Sequence, residues 1–419
     1  MKLFFSPGTM TALSLAGGLL AGLYTSPVAA VVQEISAKFV PDPSSPLVNK
    51  FINTTPQTGV CPNFIPARCA QLGIFSLRVP DLRFRSTQPI PAGHTDPRQG
   101  ATFSVPSSWR PVEVVHSRTG ERETVEMRIA GIGGTWYLAR PPGVSAWATT
   151  PGGRWRAPWT HPAAPCTGLD INAAGVAHAF FFWLFPEGAG ACSILAYMDI
   201  PWFDHRAVEY VYELRTPNPL TMSSGEYRGS LTYTTGPGGD FDMGDVMLPN
   251  DSAITLNFTL NVQHSLKVDI PPGGNRIDLV PQGGWQAWLN QGRKPVRLFR
   301  DQTFNVSASS RFKMQLECQY PAGNTCALRD SESAQQVPLN ISVSLPGGLG
   351  DATGQPVQRR PLRLDGSGTE LFQPGFYVDR KPGTLHFEVA REHVDQMLRE
   401  GGGNTWSGNA TVIWDSEVL

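Results

Sequence analysis

Charge is scarce in this sequence. Asp, Glu, Lys and Arg make up 16 % of the 419 residues, and 34 basic against 35 acidic side chains leave a net charge of −1. An ordinary soluble domain carries about 25 % charged residues. The broad basic footprint that nucleic-acid binding needs is therefore excluded. Common catalytic motifs are missing too: no G-x-S-x-G, no H-E-x-x-H, no P-loop, and no G-x-G-x-x-G between a strand and a helix. Beyond the first thirty residues no apolar run is long enough to span a bilayer as a helix. The most apolar, His178–Phe185, stops at Pro186 and reads as a buried strand. What is abundant is turn chemistry. The 43 glycines and 37 prolines are about 19 % of the chain, above the usual ~12 % but below the ~25–30 % of disordered sequences. With 41 % hydrophobic residues, these figures exclude a disordered chain, a coiled coil and a polytopic membrane protein. The length suggests two or three domains.

Residues 1–30 read as an export signal. Lys2 is the only early charge, Thr9 to Leu23 is apolar and small, and Val28-Ala29-Ala30 supplies small residues at a cleavage site. Gly17-Gly18 and Gly22 interrupt the run, which argues against a membrane anchor. The mature chain is expected to begin near Val31. Export makes disulfides the natural state of the six cysteines. They fall into sequence-local pairs, Cys61/Cys69, Cys166/Cys192 and Cys318/Cys326. Six cysteines allow fifteen pairings, and the local set is the simplest, closing two tight hairpin-sized loops and one longer loop. Spacings of eight and twenty-six do not make zinc doublets. No thiol is left for a nucleophile.

The dominant period is two. Ala253 to Val262 places Ile254, Leu256, Phe258, Leu260 and Val262 on one face and Thr255, Asn257, Thr259 and Asn261 on the other, as in a half-buried antiparallel strand. The alternation recurs at Leu266/Val268/Ile270, Phe312/Met314/Leu316/Cys318/Tyr320, Leu339/Ile341/Val343/Leu345, Leu385/Phe387/Val389 and Ala410/Val412/Trp414. Turns are expected at Pro271–Gly274, Pro281–Gly284, Pro346–Gly348 and Lys381–Gly383, and one helix at Arg391–Arg399, stopped by Gly401–Gly403. The expected fold class is all-β, with two β-sandwich domains at 31–263 and 264–419 and almost no linker between them.

Candidate chemistry is sparse. Gly131–Gly134 reads as a turn, because Trp136 and Tyr137 follow it rather than a helix start. His386 and His393 lack metal-ligand neighbours. Asp240, Asp242 and Asp245 share a glycine-rich loop, Gly236–Asp245. It could bind calcium, but without flanking Asn or Glu ligands it reads as a structural turn. Asp240 and Asp242 as a glycosidase pair lack a partner acid. The Asn-x-Ser/Thr triplets at Asn53, Asn250, Asn257, Asn305, Asn340 and Asn409 supply the polar faces of alternating strands. No cofactor and no metal are expected.

Particular phrases carry a resemblance. Phe39-Val40-Pro41-Asp42-Pro43, Asn49–Pro56 and Gly59-Val60-Cys61 resemble the mature start of CblD-like pilus tip subunits, from the alpha-type (alternate) chaperone–usher fimbriae of Gram-negative bacteria. Tyr212–Leu214, Gly225–Tyr233 and the Gly236–Asp242 loop resemble the closing strands of that family's adhesin domain. Ala253–Val262 resembles the adhesin–pilin junction, and Asn409–Asp415 the last pilin strand. The resemblance implies a non-enzymatic tip subunit at the cell surface. Its N-terminal domain would be an adhesin for a host glycan or protein receptor. Its C-terminal domain would be an immunoglobulin-like pilin lacking one strand, which a major pilin supplies as a donor strand. A periplasmic chaperone and an outer-membrane usher are implied partners, with the edge strand of Ala410, Val412 and Trp414 as the point of contact. Such tip subunits carry no donor extension of their own, and Val31–Lys38 is short and alternates poorly.

An N-terminal domain of about 230 residues is large for that family, so receptor positions do not carry over. From chemistry alone, Trp147, Arg154, Trp155, Arg156 and Trp159 form a candidate aromatic and guanidinium surface for sugars or anionic glycans. The alternatives are an assembly initiator without a receptor and a secreted β-sandwich carbohydrate-active enzyme.

Overall fold

A computed structural model describes residues 31–139, 145–149, 153–171, 173–175, 177–398 and 405–416. The expected export signal, the Gly401–Gly403 helix stop and the side chain of Trp147 lie outside them.

The chain is all-β, in two β-sandwich domains. Its first half runs β1 (Val31–Phe39), α1 (Val60–Asn63), α2 (Pro66–Leu72), β2 (Phe75–Ser86), β3 (Arg110–His116), β4 (Arg122–Leu138), β5 (His178–Leu184), β6 (Phe203–Arg215), β7 (Gly225–Thr234) and β8 (Ala253–Val262). The second half runs β9 (Leu266–Asp269), α3 (Gln286–Gln291), β10 (Leu298–Ala308), β11 (Lys313–Cys318), β12 (Thr325–Asp330), β13 (Gln336–Ser344), β14 (Val378–Val389), α4 (Arg391–Met397) and β15 (Ala410–Asp415). Shorter strands fill the gaps.

The first sheet has the order β2-β6-β4-β3-β7-β8-β1, and β5 also pairs with β4. β8 has the predicted bounds, and its apolar residues are the buried ones. β1 runs parallel to it, Val31 opposite Ile254 through Phe39 opposite Val262. The N-terminal segment thus completes its own sheet. The second sheet runs β9-β10-β14-β13-β12, with β11 and β15 as a separate pair. Between Val262 and Leu266 the chain is pinned: Ser265 N–H donates to Ser309 Oγ at 2.9 Å, and the His264 ring meets Phe39 edge-on at 5.6 Å.

The three expected disulfides are present, Cys61–Cys69, Cys166–Cys192 and Cys318–Cys326. They are less like simple loop closures than the spacing suggests, because each is built into a core. Cys192 opens the short strand Cys192–Ile194, pairs opposite Phe103 and is buried with Cys166 in the first core. Cys326 lies in β12 opposite Leu339 of β13 and is buried in the second core. Its partner Cys318 ends β11, so this bridge fastens the small β11–β15 pair to the principal sheet.

Other local expectations need correction. Gly131–Gly134 is not a turn but the middle of β4. A Cβ at Gly133 would sit 2.3 Å from the Phe181 carbonyl oxygen, and one at Gly131 would sit 2.7 Å from that of Trp183. The glycines let β5 lie hard against β4. Lys381–Gly383 is likewise inside a strand, β14, opposite Val306, Asn305 and Phe304 of β10. The pairing of β13 with β14 begins only at Thr384, so Pro382 occupies a stretch paired on one side, where its missing N–H costs nothing. Finally, Arg391–Met397 is not the only helix. The Cys61–Cys69 loop is no hairpin but holds α1 and the start of α2, which begins on Pro66 and ends at Gly73 with φ of 67°. Proline at the first position and glycine past the last is the signal that sequence reading passed over.

Gly133→Val should therefore destabilise residues 31–419 by about 3 kcal/mol, the upper range for forcing volume into a packed site, measured by urea unfolding. An unchanged midpoint would show that β4 and β5 tolerate separation.

Candidate functional site

The expected Trp/Arg surface is largely interior, and this corrects it. Trp155 is 0 % and Trp159 7 % exposed. Their rings meet edge-on at 5.0 Å, and Trp159 lies 5.2 Å from Trp136, 4.7 Å from Phe181 and 5.4 Å from Trp183. Trp183 Nε1 donates to the Trp159 carbonyl at 2.7 Å. In a stretch with few charges, these large rings gain more by joining the core than by lining solvent. Arg154 is 8 % exposed and donates to the Asp199 carbonyl. Of the set with described side chains, only Arg156 is at the surface, its guanidinium 5.7 Å from the centre of the Tyr197 ring.

The cysteines offer no reactive group. Cys61, Cys69, Cys166, Cys192, Cys318 and Cys326 are all bridged, and no free cysteine is found among the described residues.

The acidic loop is a turn whose carboxylates are already engaged. Asp242 accepts from the Gly244 N–H at 2.8 Å, from the Gly238 N–H at 2.9 Å and from Arg98 at 2.9 Å. Arg98 also reaches Asp245 at 2.6 Å. Asp240 accepts from the Thr234 N–H and hydroxyl at 2.8 and 2.9 Å and pairs with Arg110. Burial works to raise the Asp240 pKa, but the Thr234 and Arg110 hydrogen bonds outweigh it and hold the carboxyl below its ordinary value. Among the described residues, no three His, Cys, Asp or Glu side chains converge as a metal site.

A strand covers the expected positions Ala410, Val412 and Trp414. β15 pairs with β11 alone, Ala410 opposite Cys318 through Asp415 opposite Lys313. The far side of β11 is closed, because Met314 N–H donates to the Thr369 carbonyl at 3.0 Å and Leu316 N–H to that of Arg363 at 3.1 Å. Met314 and Leu316 face Trp414 and Val412, so these are non-hydrogen-bonded pairs of the ladder. The backbone groups of Val412 and Trp414 then point away from β11, to a side on which no strand pairs among the described residues. Their side chains are half-buried on the second core, with the Trp414 ring 5.0 Å from Phe304 and 5.6 Å from Phe312.

Sequence reading missed a cleft of about 410 Å³ on the outer face of the first sheet. Four neighbouring strands build it: Arg78 on β2, Glu209 on β6, Thr135 and Tyr137 on β4, His178 and Phe180 on β5. Asn63 and Phe64, at the end of α1, close one side. The register sets Glu209 opposite Arg78, His178 opposite Tyr137 and Phe180 opposite Thr135. Glu209 is 2 % exposed. One carboxylate oxygen meets Arg78 Nε at 3.3 Å, and the other, Oε2, lies against Gly59. Burial pushes the Glu209 carboxyl up to about 7, against the pull of Arg78 and the Val60 N–H. Residues this far apart along the chain carry no local spacing signal.

No family model and no curated protein matches the chain. Among solved structures it is similar to CfaE, the adhesive subunit of CFA/I fimbria of enterotoxigenic Escherichia coli, at 10 % identity over 92 % of each chain and a TM-score of 0.24. A chain of a chaperone–tip adhesin complex of CFA/I fimbriae is 9 % identical, over 92 % of this chain and 96 % of that one, with a TM-score of 0.25. A chain of the CsuC–CsuE chaperone–tip adhesion subunit complex from Csu pili of Acinetobacter baumannii is 8 % identical, over 92 % and 98 %, with a TM-score of 0.20. Likeness this loose carries no weight for function.

Two outcomes follow from the engaged loop and the buried acid. Adding calcium to residues 31–419, or chelating it, should leave the melting temperature unchanged, and a calcium-dependent rise would make the Gly236–Asp245 loop a metal site. A raised folded pKa means that Glu209 favours folding below its unfolded value of 4.5 and that this contribution is lost as pH rises through about 7. Glu209→Gln should flatten that part of the stability–pH profile. An unaltered profile would show that Glu209 titrates normally.

Proposed function

We propose that the chain is a non-enzymatic fimbrial tip subunit of the CblD-like type, exported through the periplasm to the cell surface after loss of residues 1–30. Residues 31–263 form the adhesin domain and residues 264–419 the pilin domain. The carrying observation is β15: an apolar row at Val412 and Trp414, half-covered, on a strand that among the described residues pairs on one side only. Open backbone with alternating apolar side chains is a template for an added strand and a hazard if left bare. A donor strand from the major pilin fits this edge. A periplasmic chaperone covers it beforehand, and the outer-membrane usher exchanges the two. β1 supports the terminal position, since it is held over nine residues in its own sheet and is not free to complete another subunit.

The first domain binds a receptor on the host surface, probed on its exposed side chains rather than on Trp155 or Trp159. Arg156, beside Tyr197, is the member of the expected set that reaches solvent. An assembly initiator without a receptor would share the β15 edge and differ only in failing to adhere.

Fusing the N-terminal strand of the cognate major pilin after Leu419, through a flexible linker, should raise the melting temperature of the mature chain. It should also protect the β15 amides from hydrogen exchange. A fusion that melts and exchanges like the unfused chain would remove the donor-strand reading.

A further inference from the structure

The outer cleft has a composition that selects its ligand. Its walls are two aromatic pairs, one stacked and one tilted. Phe64 and Phe180 stack at 5.0 Å with 20° between planes, and Tyr137 and His178 lie 5.3 Å apart at 30°. Phe64 is 46 % exposed, so its ring is open to a ligand in the cleft. The polar lining is Arg78, Glu209, Thr135 and Asn63. The volume, about 410 Å³, falls in the range of small-molecule sites, which are mostly apolar with a few placed polar groups.

The charges cancel. Arg78 is balanced by Glu209 at 3.3 Å, and Arg206, whose guanidinium lies 4.5 Å from the centre of the Tyr137 ring, is balanced by Asp204 at 2.8 Å. An anionic ligand would compete with Glu209 for Arg78, and a cationic one would compete with Arg78 for Glu209, so neither charge is spare while the pair is ionised. A purely apolar ligand would leave the hydroxyl, amide and carboxylate lining unmatched. The ligand that satisfies both halves has flat C–H faces for the rings, several hydroxyls for the lining, and no charge.

We propose that this cleft binds a neutral pyranose sugar, one face stacked on the Phe64 and Tyr137 walls and its hydroxyls hydrogen-bonded to Arg78, Glu209, Thr135 and Asn63. The inference rests on the adhesin reading and names the site and ligand class of that adhesin. Two features hold the cleft in shape. The Cys61–Cys69 bridge ties α1 to α2, so that Asn63 and Phe64 stay over the sheet. Gly59, with φ of 84°, leaves room for Glu209: a Cβ there would lie 2.7 Å from Oε2.

The test uses the mature full chain and saturation-transfer NMR. Its probes are the methyl glycosides of glucose, galactose, mannose, fucose, N-acetylglucosamine and N-acetylgalactosamine, with sialyllactose as the acidic comparison. At least one neutral glycoside should bind. Phe64→Ala and Tyr137→Ala should each weaken it about tenfold, the loss of one ring contact, with the Phe64→Ala melting temperature unchanged because that ring is half in solvent. A neutral sugar held equally well by both variants would overturn the site. Binding of sialyllactose alone would overturn the neutral-sugar assignment. If no probe binds but the chain still adheres to host epithelial cells, the cleft assignment fails and the adhesin reading stands. If the chain neither binds a probe nor adheres, both fail.

Discussion

The close approach of β5 to β4 is the constraint on which the first domain depends. Gly131 and Gly133 remove the side chains that would hold the two backbones apart. β5 then divides its residues between two faces. Phe181 and Trp183 enter the main core with Trp136, Trp155 and Trp159, while Phe180, Phe182 and Leu184 support a smaller outer cluster with Val60, Cys61 and Cys69. One backbone contact thus fixes the tryptophan-rich interior and, through the alternating residues, the floor on which α1 and α2 rest. The outer cleft is a by-product of the same geometry, because Thr135 and Tyr137 continue along β4 beyond the glycines.

The second domain poses the opposite problem. Its principal sheet is continuous from β9 to β12, and its core has buried residues on the long strands β10, β13 and β14. The small β11–β15 pair carries the remaining apolar row, tied to β12 by Cys318–Cys326. Among the described residues, neighbouring backbone closes only its β11 side, from Thr369 and Arg363. The two domains therefore differ in how their edges end. In the first, β1 covers β8 along nearly its whole length; in the second, no strand among the described residues pairs with the outer flank of β15.

How much of this was legible depended on whether the signal was local. The period of two located β8 to the residue, and it located β11, β13 and β15 closely, because a face that must be buried leaves its mark on successive residues. The cysteine pairs were legible for the same reason, being neighbours in sequence, but that Cys192 and Cys326 sit inside cores was not. Glycine and proline misled where they had a second use. Gly131–Gly134 and Lys381–Gly383 carry turn composition inside strands, the first for a close approach and the second where only one neighbour pairs. Trp155 and Trp159 sit among prolines in a stretch that looks like surface, and nothing local reveals that the stretch folds back onto Trp136 and Trp183. The cleft was invisible for a related reason. Its residues are contributed by four strands whose adjacency follows from sheet order, which single-sequence periodicity does not encode.

The parallel pairing of β1 with β8 sets an order of events. Glu34 bonds to Asn257 across 223 residues, and the whole of β1 finds its long partner only at Ala253–Val262. As the chain is synthesised from its N-terminus, Ile35, Ala37 and Phe39 must wait, apolar and unpaired along that flank, until nearly the entire first domain has been made. Contacts this distant in sequence form late and slowly. The first described strand in sequence is thus one whose sheet partner lies more than two hundred residues along the chain.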